Sequence, residues 1–284
     1  MAEDGEEPGG IRGVIARRTK NWSLSRDESF MRFQKPVWDV LLDYYFRMEV
    51  TGWDRLPESP ALLVGIHASG LLPIEAYAVS FAWYRHFGSE RPLHATTHDV
   101  LFALPLLGDY MRKMGAVPAA PDSISAALDL GHDVALWPGG DRDALRPWSQ
   151  RDTVVLGGRR GFVKQAILSG VPIVPVPTIG GSDTLIMLTE GRGLAKTLRL
   201  DKLARTDVLP LALGFPFGVA PGVIPQIPLP AKLRSEFLDP IHLDTDPERA
   251  QDDAYVSTMY ELVEERLQEG VTALASRRRF PLFG

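Results

Sequence analysis

Two side chains suited to acid–base chemistry, His67 and Glu75, follow the short apolar run at residues 62–66. That run, Leu-Leu-Val-Gly-Ile, is typical of a buried β-strand. In α/β proteins, ligands bind outside the carboxyl ends of the strands, and histidine is the side chain that titrates nearest to neutral pH. These residues therefore predict a general base at the end of a strand. The alternative is a structural histidine whose hydrogen bonds are satisfied within the core.

A second apolar strand opens into a turn of glycines and charges at residues 137–143, which read Trp-Pro-Gly-Gly-Asp-Arg-Asp. Glycine allows the backbone to approach a ligand closely, and backbone N–H groups can stabilise a developing oxyanion. We therefore expect this turn to bind substrate. Its candidate residues are Gly139, Gly140, Asp141, Arg142 and Asp143. For Arg142 and Asp143, an ion pair in a solvated loop is the alternative interpretation.

The elements that must position these residues alternate between strand and helix. Predicted strands cover residues 48–53, 62–67, 93–97, 116–119, 134–137 and 171–178, and predicted helices cover 73–87, 99–114, 123–130 and 161–168. Such alternation indicates parallel strands joined by crossover helices. The predicted fold class is α/β, as a single domain with a largely parallel central sheet flanked by helices.

The two ends of the chain differ in character. Residues 1–22 are polar and Gly-rich and are expected to form a flexible N-terminal tail, which leaves 23–284 as the folded domain. Aromatic and aliphatic residues at helical spacing predict an amphipathic helix over about 27–48, split by Pro36. A last helix is predicted over about 253–278.

An uncharged, apolar segment at residues 208–231 contains six prolines and cannot form one helix. Long uncharged loops are uncommon without a function. Together with the aromatic N-terminal helix, this segment predicts attachment to a membrane surface without a spanning helix. An irregular layer packed on the core is the alternative for this segment.

Composition excludes several classes of protein. A net charge of -5 gives no electrostatic reason to expect a nucleic-acid partner. The absence of cysteine excludes disulfides, thiolate metal ligands and a cysteine nucleophile. The six histidines lack metal-ligand spacing, so no metal site is predicted. No secretory signal is visible, and we expect a cytoplasmic protein at the membrane periphery.

Four motifs, in order, resemble those of the glycerolipid acyltransferase superfamily, which contains the lysophosphatidate acyltransferases. Residues 137–143 resemble its Phe-Pro-Glu-Gly-x-Arg-Ser motif, and the stretch from His67 to Glu75 resembles its His-x4-Asp motif. Residues 49–57 resemble its first strand, and 171–176, Val-Pro-Ile-Val-Pro-Val, match its last motif. The resemblance covers about half of the chain, and it implies the acyltransferase fold and chemistry.

Departures from the superfamily pattern point to one branch of it. The superfamily acid stands five residues after the histidine, where this chain has Leu72, and the nearest acid is Glu75. Pro-Gly-Gly at 138–140 followed by Asp143 resembles the diacylglycerol acyltransferase type 2 and phytyl ester synthase branch, which acylates neutral lipid alcohols. Residues 119–121, Ala-Ala-Pro, lack the arginine with which phosphate-acceptor enzymes hold a phosphate.

The resemblance implies an O-acyltransferase that moves a fatty acyl group from acyl-CoA to the hydroxyl of a neutral or weakly polar lipid acceptor. Acyl-CoA is then a co-substrate, and no cofactor is implied. His67 would act as general base, with its ring oriented by Glu75 or, as a second candidate, by Asp143. The backbone N–H groups of Gly139 and Gly140 would stabilise the oxyanion.

Two other functions stay open from the residues alone. A lysophospholipid or other phosphate-acceptor acyltransferase would need a cationic pocket, for which the candidates are Arg142, Arg146 and Arg159–Arg160. A non-catalytic lipid-binding protein on the same fold would follow if Leu72 marks the loss of the catalytic acid and Glu75 cannot reach the histidine.

Overall fold

The structure is a computed structural model, and it describes residues 22–67, 69–70, 72–197, 209–222, 224–278 and 280. The predicted N-terminal tail, residues 1–22, lies outside these ranges apart from Trp22. The same is true of Val208 and Val223 in the predicted proline-rich segment.

Eleven strands lie in the described ranges. They are β1 Glu49–Thr51, β2 Leu62–Gly65, β3 Leu93–Thr97, β4 Val117–Pro118, β5 Asp133–Leu136, β6 Ile173–Val176, β7 Thr178–Ile179, β8 Ile186–Thr189, β9 Leu211–Gly214, β10 Gly218–Pro221 and β11 Arg234–Glu236. The central sheet has the order β4-β3-β5-β2-β6, and all of its strand pairs are parallel. Two three-stranded sheets, β1-β11-β7 and β10-β9-β8, complete the strands.

Ten α-helices lie in the same ranges. They are α1 Glu28–Val40, α2 Ile74–Phe87, α3 Asp99–Ala103, α4 Leu107–Lys113, α5 Pro121–Asp129, α6 Gly140–Ala144, α7 Gly161–Ser169, α8 Gly181–Thr184, α9 Arg192–Thr197 and α10 Asp253–Ser276. A π-helical turn, Leu41–Tyr45, follows α1, and short 3₁₀ turns cover Trp53–Arg55, Trp148–Gln150 and Pro247–Gln251. The predicted fold class, a largely parallel α/β sheet flanked by helices, is confirmed.

Strand β2 lies between β5 and β6, and all of its residues are buried. Successive side chains of a strand point to opposite faces of the sheet. Leu62 and Val64 accordingly join the core beneath α5, α7 and α10, whereas Leu63 joins the core beneath α2. The two flanking strands, β5 and β6, run parallel to β2. Consequently, the chain leaving β2 and the chain leaving β5 emerge side by side at one edge of the sheet.

Two helices differ from their predicted form, and proline is involved in both. The N-terminal helix runs through Pro36 unbroken and ends in the π-helical turn. Packing of Met31 and Leu42 on the core favours continuation despite the missing proline N–H. The helix predicted over 99–114 is instead two helices, because Pro105 cannot continue the first and Leu106 takes a left-handed φ of 64°.

Residues 211–221 of the proline-rich segment form two strands of a small sheet, and the described residues after them are irregular. Strands β9 and β10 pair as an antiparallel hairpin, and β8 pairs with the other side of β9. Three large apolar side chains of this hairpin, Phe215, Phe217 and Val219, are more than half exposed. The segment therefore combines an ordered backbone with an apolar surface.

Candidate active site

The imidazole of His67 and the carboxylate of Glu75 form a hydrogen-bonded pair. Nδ1 of His67 lies 2.8 Å from Oε1 of Glu75. His67 follows β2, and Glu75 lies in the first turn of α2, so one short loop returns the carboxylate to the ring. Because a carboxylate only accepts hydrogen bonds, Nδ1 carries the proton and Nε2 is left as the basic nitrogen. Glu75 is fully buried, whereas the His67 side chain is about one-fifth exposed.

The loop between these two residues is fastened by Ser69. Its hydroxyl accepts the backbone N–H of Ile74 at 2.8 Å and donates to Oε2 of Glu75. Both carboxylate oxygens therefore have partners, and the buried charge is held in one orientation. Ser69 is not among the site residues predicted from the sequence. The feature of the sequence that could have identified it is a serine two residues after the histidine.

Asp143 contacts the backbone of His67, not its imidazole ring. Its Oδ2 accepts the backbone N–H of His67 at 2.5 Å, and its Oδ1 forms an ion pair with Nη1 of Arg146. The same Nη1 donates to the carbonyl oxygen of His67 at 2.9 Å. Asp143 and Arg146 thus hold both backbone polar groups of the candidate base. Of the two predicted carboxylates, the structure brings Glu75, not Asp143, to the imidazole.

Burial raises the pKa of Asp143 to about 7, although the charges of Arg146 and His67 and the backbone N–H of His67 act in the opposite direction. Asp143 is fully buried and Arg146 is 4% exposed. The alternative prediction of a solvated ion pair is therefore wrong for Asp143, because its partner Arg146 lies inside the protein. Buried ion pairs are costly to break, since one charge is left without a partner.

The glycine turn lies beside the histidine. The indole of Trp137 stacks on the ring of His67 at a centroid distance of 5.7 Å and an angle of 17°. Gly65 makes room for this indole, because a Cβ there would lie 2.6 Å from its Nε1. Gly139 is packed against the Asp143 side chain, and Gly140 has a φ of 58°, which favours glycine.

The structure describes the side-chain surroundings of only some of the residues predicted in the turn. Asp143 contacts His67 directly, Gly139 packs against Asp143, and Gly140 lies against Arg159. The backbone of Asp141 and Arg142 lies in helix α6, but their side chains lie outside the described part of the structure. The roles of all five residues in binding and catalysis stay predictions.

One cation lies across the glycine turn. Nη1 of Arg159 donates to the carbonyl oxygen of Pro138 at 3.0 Å, and a Cβ on Gly140 would collide with the same guanidinium. Arg159 and Arg160 are exposed and immediately precede helix α7. By contrast, Arg146 is occupied inside the protein. Of the predicted phosphate-binding arginines with described side chains, only Arg159 and Arg160 are exposed.

A solved structure with a similar fold is the 1-acyl-sn-glycerophosphate (LPA) acyltransferase PlsC from Thermotoga maritima, with a TM-score of 0.53. The match covers 94% of this chain and 90% of the other at 18% identity. At this level of identity the similarity establishes the fold.

Two sequence relatives align with most of this chain. An uncharacterised protein of Mycobacterium tuberculosis is 30% identical over 254 residues, which are 88% of this chain and 68% of the relative. Phytyl ester synthase 1 of Arabidopsis thaliana is 25% identical over 253 residues, which are 81% of this chain and 34% of that larger protein.

Fold and family relationships together define an acyltransferase of the glycerolipid type. The chain belongs to the diacylglycerol acyltransferase family, whose sequence profile matches residues 18–210. The resemblance predicted from the four motifs is therefore confirmed. No helix in the described ranges is both long and apolar enough to cross a membrane.

Proposed function

We propose that this enzyme transfers a fatty acyl group from acyl-CoA to the hydroxyl group of a neutral lipid alcohol, with His67 as general base. The observation that carries the proposal is the 2.8 Å contact between Nδ1 of His67 and the buried carboxylate of Glu75. This contact orients the ring and stabilises its protonated form, as a carboxylate does in other histidine–acid pairs. It also counts against the non-catalytic alternative, which required Glu75 to be out of reach.

The reaction proceeds as a direct transfer. Nε2 of His67 accepts the proton of the acceptor hydroxyl while the hydroxyl oxygen attacks the thioester carbonyl. Backbone N–H groups of Gly139 and Gly140 stabilise the oxyanion, and its collapse breaks the carbon–sulfur bond. The imidazolium then protonates the departing CoA thiolate. Acid–base catalysis of this kind contributes about 10²–10⁴-fold.

The buried ion pair of Arg146 with Asp143 favours a neutral acceptor. This arginine stood among the predicted phosphate-binding residues, but its guanidinium is buried on Asp143 and the His67 carbonyl. A phosphate at the same place would have to break that buried pair. The similarity to a phytyl ester synthase, an enzyme named for an ester of a neutral alcohol, supports the same acceptor class. A lysophospholipid acceptor is the second candidate.

An anionic donor is supported by the arginines beside the glycine turn. Arg159 lies across Gly140, and Arg160 precedes α7. A helix N-terminus with adjacent guanidinium groups favours phosphate, and CoA carries phosphates at the end remote from its thioester. This arrangement supports acyl-CoA as the donor.

Attachment to a membrane surface is also part of the proposal. An exposed apolar stripe on the N-terminal helix consists of Phe33, Val37, Val40 and Tyr44, at helical spacing. The π-helical turn after α1 contacts the proline-rich segment, because the hydroxyl of Tyr45 donates to a carbonyl there at 2.6 Å. Two neighbouring segments therefore expose large apolar side chains, which is typical of proteins that lie on a lipid surface.

The test of the reaction is transfer of labelled palmitoyl from CoA to a panel of acceptors by the wild type and by His67→Ala. The panel contains diacylglycerol, hexadecanol, lysophosphatidate and lysophosphatidylinositol. We expect an ester of the neutral acceptors that depends on His67. Product only on the lysophospholipids would replace the acceptor class. No His67-dependent product from folded protein would contradict acyl-CoA-dependent catalysis.

The test of membrane attachment is flotation with vesicles of phosphatidylcholine and phosphatidylserine. We expect Phe33→Ser and Val37→Ser together to reduce the bound fraction severalfold. The control is Leu168→Ser, which also removes an exposed apolar side chain but on α7, a helix that packs against α5 and α10. Equal flotation of the two variants would contradict the proposed surface.

A further inference from the structure

A small recess, partly open to solvent, lies next to the candidate catalytic pair. One wall is the loop that joins His67 to Glu75, which contributes Ser69 and Leu72. The remaining wall comes from the C-terminal end of α8, the residue that follows it and the proline-rich segment. Its lining residues are Thr184, Leu185, Gly222, Ile224, Pro225, Gln226 and Pro228. We call this space the Gln226 recess.

The side-chain amide of Gln226 makes no hydrogen bond to the described residues. The side chain is 6% exposed, and among the described residues neither Nε2 nor Oε1 has a hydrogen-bond partner. Buried amides in native proteins are almost always paired, and an exception needs an explanation. The other two polar side chains of the recess are engaged, because Ser69 donates to Glu75 and Thr184 donates to the carbonyl oxygen of Gly181. Gln226 therefore supplies the available polar atoms of this wall.

Strand β9 leaves room for the amide in this position. A Cβ on Gly214 would lie 2.5 Å from Oε1 of Gln226. Any other residue at 214 would displace the amide from the recess, since Oε1 and Cδ would both be in contact with the added side chain. The hairpin and the glutamine thus fit each other around an amide that makes no hydrogen bond within the described structure.

The lining of the recess specifies the chemistry of its ligand. Its residues carry no charge, so a phosphate would meet no cation there. A primary amide offers two donors and one acceptor oxygen, which suit an ester carbonyl or a second hydroxyl. Ile224 and Ile227 are 40% and 52% exposed, so apolar side chains continue from the recess to the surface. The fitting ligand is neutral, with an ester beside its reactive hydroxyl and hydrocarbon leading outward.

We propose that the Gln226 recess binds the ester group of a neutral glycerolipid acceptor while its free hydroxyl group meets His67. The inference rests on the proposed function and extends it, because it names the acceptor subsite and the residue that selects an ester-bearing acceptor over a simple alcohol. Hexadecanol has no ester, so Gln226 contributes nothing to its binding.

The test is Gln226→Leu, which keeps the volume and removes the amide. We expect the KM for diacylglycerol to rise about tenfold, as for loss of one hydrogen bond to a neutral group. The KM values for acyl-CoA and hexadecanol should stay within about twofold. The melting temperature should not fall, because the variant removes a buried polar group that has no hydrogen-bond partner among the described residues. The control is Gln251→Leu, in an exposed 3₁₀ turn.

Each other outcome has a definite meaning. An unchanged KM for diacylglycerol in Gln226→Leu, with an active wild type, overturns the recess and leaves the proposed function standing. An equal rise for diacylglycerol and hexadecanol, or a lower melting temperature, assigns Gln226 a structural role and also overturns it. A wild type that is inactive with both neutral acceptors overturns the proposed function and this inference together.

Discussion

Replacing Arg146 by methionine should destabilise the protein strongly and in a pH-dependent way. The side chains of Arg146 and Asp143 are 3% and 0% exposed, and they form an ion pair three residues apart. Methionine fills much of the same space but leaves the Asp143 carboxylate buried without a cation. Removing one partner of such a pair typically costs about 3–5 kcal/mol. We expect a loss of about 3 kcal/mol in the free energy of unfolding at pH 8.

The pH dependence follows from the pKa of Asp143. In the wild type burial already raises this pKa to about 7, well above its ordinary value of 3.8. An acid whose pKa is raised by folding costs nothing below its ordinary pKa of 3.8; its cost grows as the pH rises towards the folded value and is constant above it. Loss of Arg146 raises the pKa further, so the cost in the variant keeps growing above pH 7. The difference between variant and wild type should therefore increase from pH 6 to pH 9.

Urea unfolding of the two proteins at pH 6, 7, 8 and 9 measures this difference directly. The matched control is Arg266→Met. Arg266 also forms an ion pair at a spacing of three residues, with Glu269, but both side chains are more than half exposed. Exposed pairs contribute about 0–1 kcal/mol. A loss below 1 kcal/mol in Arg146→Met, or one that does not change with pH, would refute the reasoning.

Three further predictions concern two residues of the candidate site region, Glu75 and Arg159, and the buried histidine His94. Glu75→Gln should lower kcat by about 10²–10⁴-fold, because an amide cannot stabilise the imidazolium, and should leave the KM for acyl-CoA unchanged. Steady-state assays measure both constants. A fall in kcat of less than tenfold would contradict the catalytic pairing of Glu75 with His67. Arg159→Ala should raise the KM for palmitoyl-CoA about fivefold but not that for a palmitoyl thioester of N-acetylcysteamine, which lacks phosphates; parallel changes would exclude phosphate binding by Arg159. Burial lowers the pKa of His94 from 6.5 to about 4. Its stabilising contribution is therefore complete above pH 6.5 and decreases as the pH falls towards 4. The loss in the free energy of unfolding amounts to about 2 kcal/mol at pH 5. Urea unfolding of His94→Asn should accordingly show a shallower loss of stability between pH 7 and pH 5 than the wild type, and an equal slope would contradict the burial argument.

Strand and helix types followed from local patterns in the sequence. Strand β3 was predicted over the residues that form it, and helix α7 to within one residue, because apolar spacing and helix-ending glycines act within a few residues. The N-terminal helix continues through Pro36, whereas the helix predicted over 99–114 is interrupted at Pro105. Only the contacts of each helix decide between these outcomes, since packing on the core can outweigh one missing hydrogen bond.

The sequence by itself determined the parallel α/β class and the identity of His67 as the candidate base. Both depend on residue type and short spacing. The tertiary structure decided which carboxylate meets the imidazole, because Glu75 returns to the ring only through the loop fastened by Ser69. It also buried Arg146 beneath His67 and brought Gln226, which is far away in sequence, to a recess beside the catalytic loop. Contacts between distant residues depend on the packing of whole elements, and no local pattern in the chain specifies them.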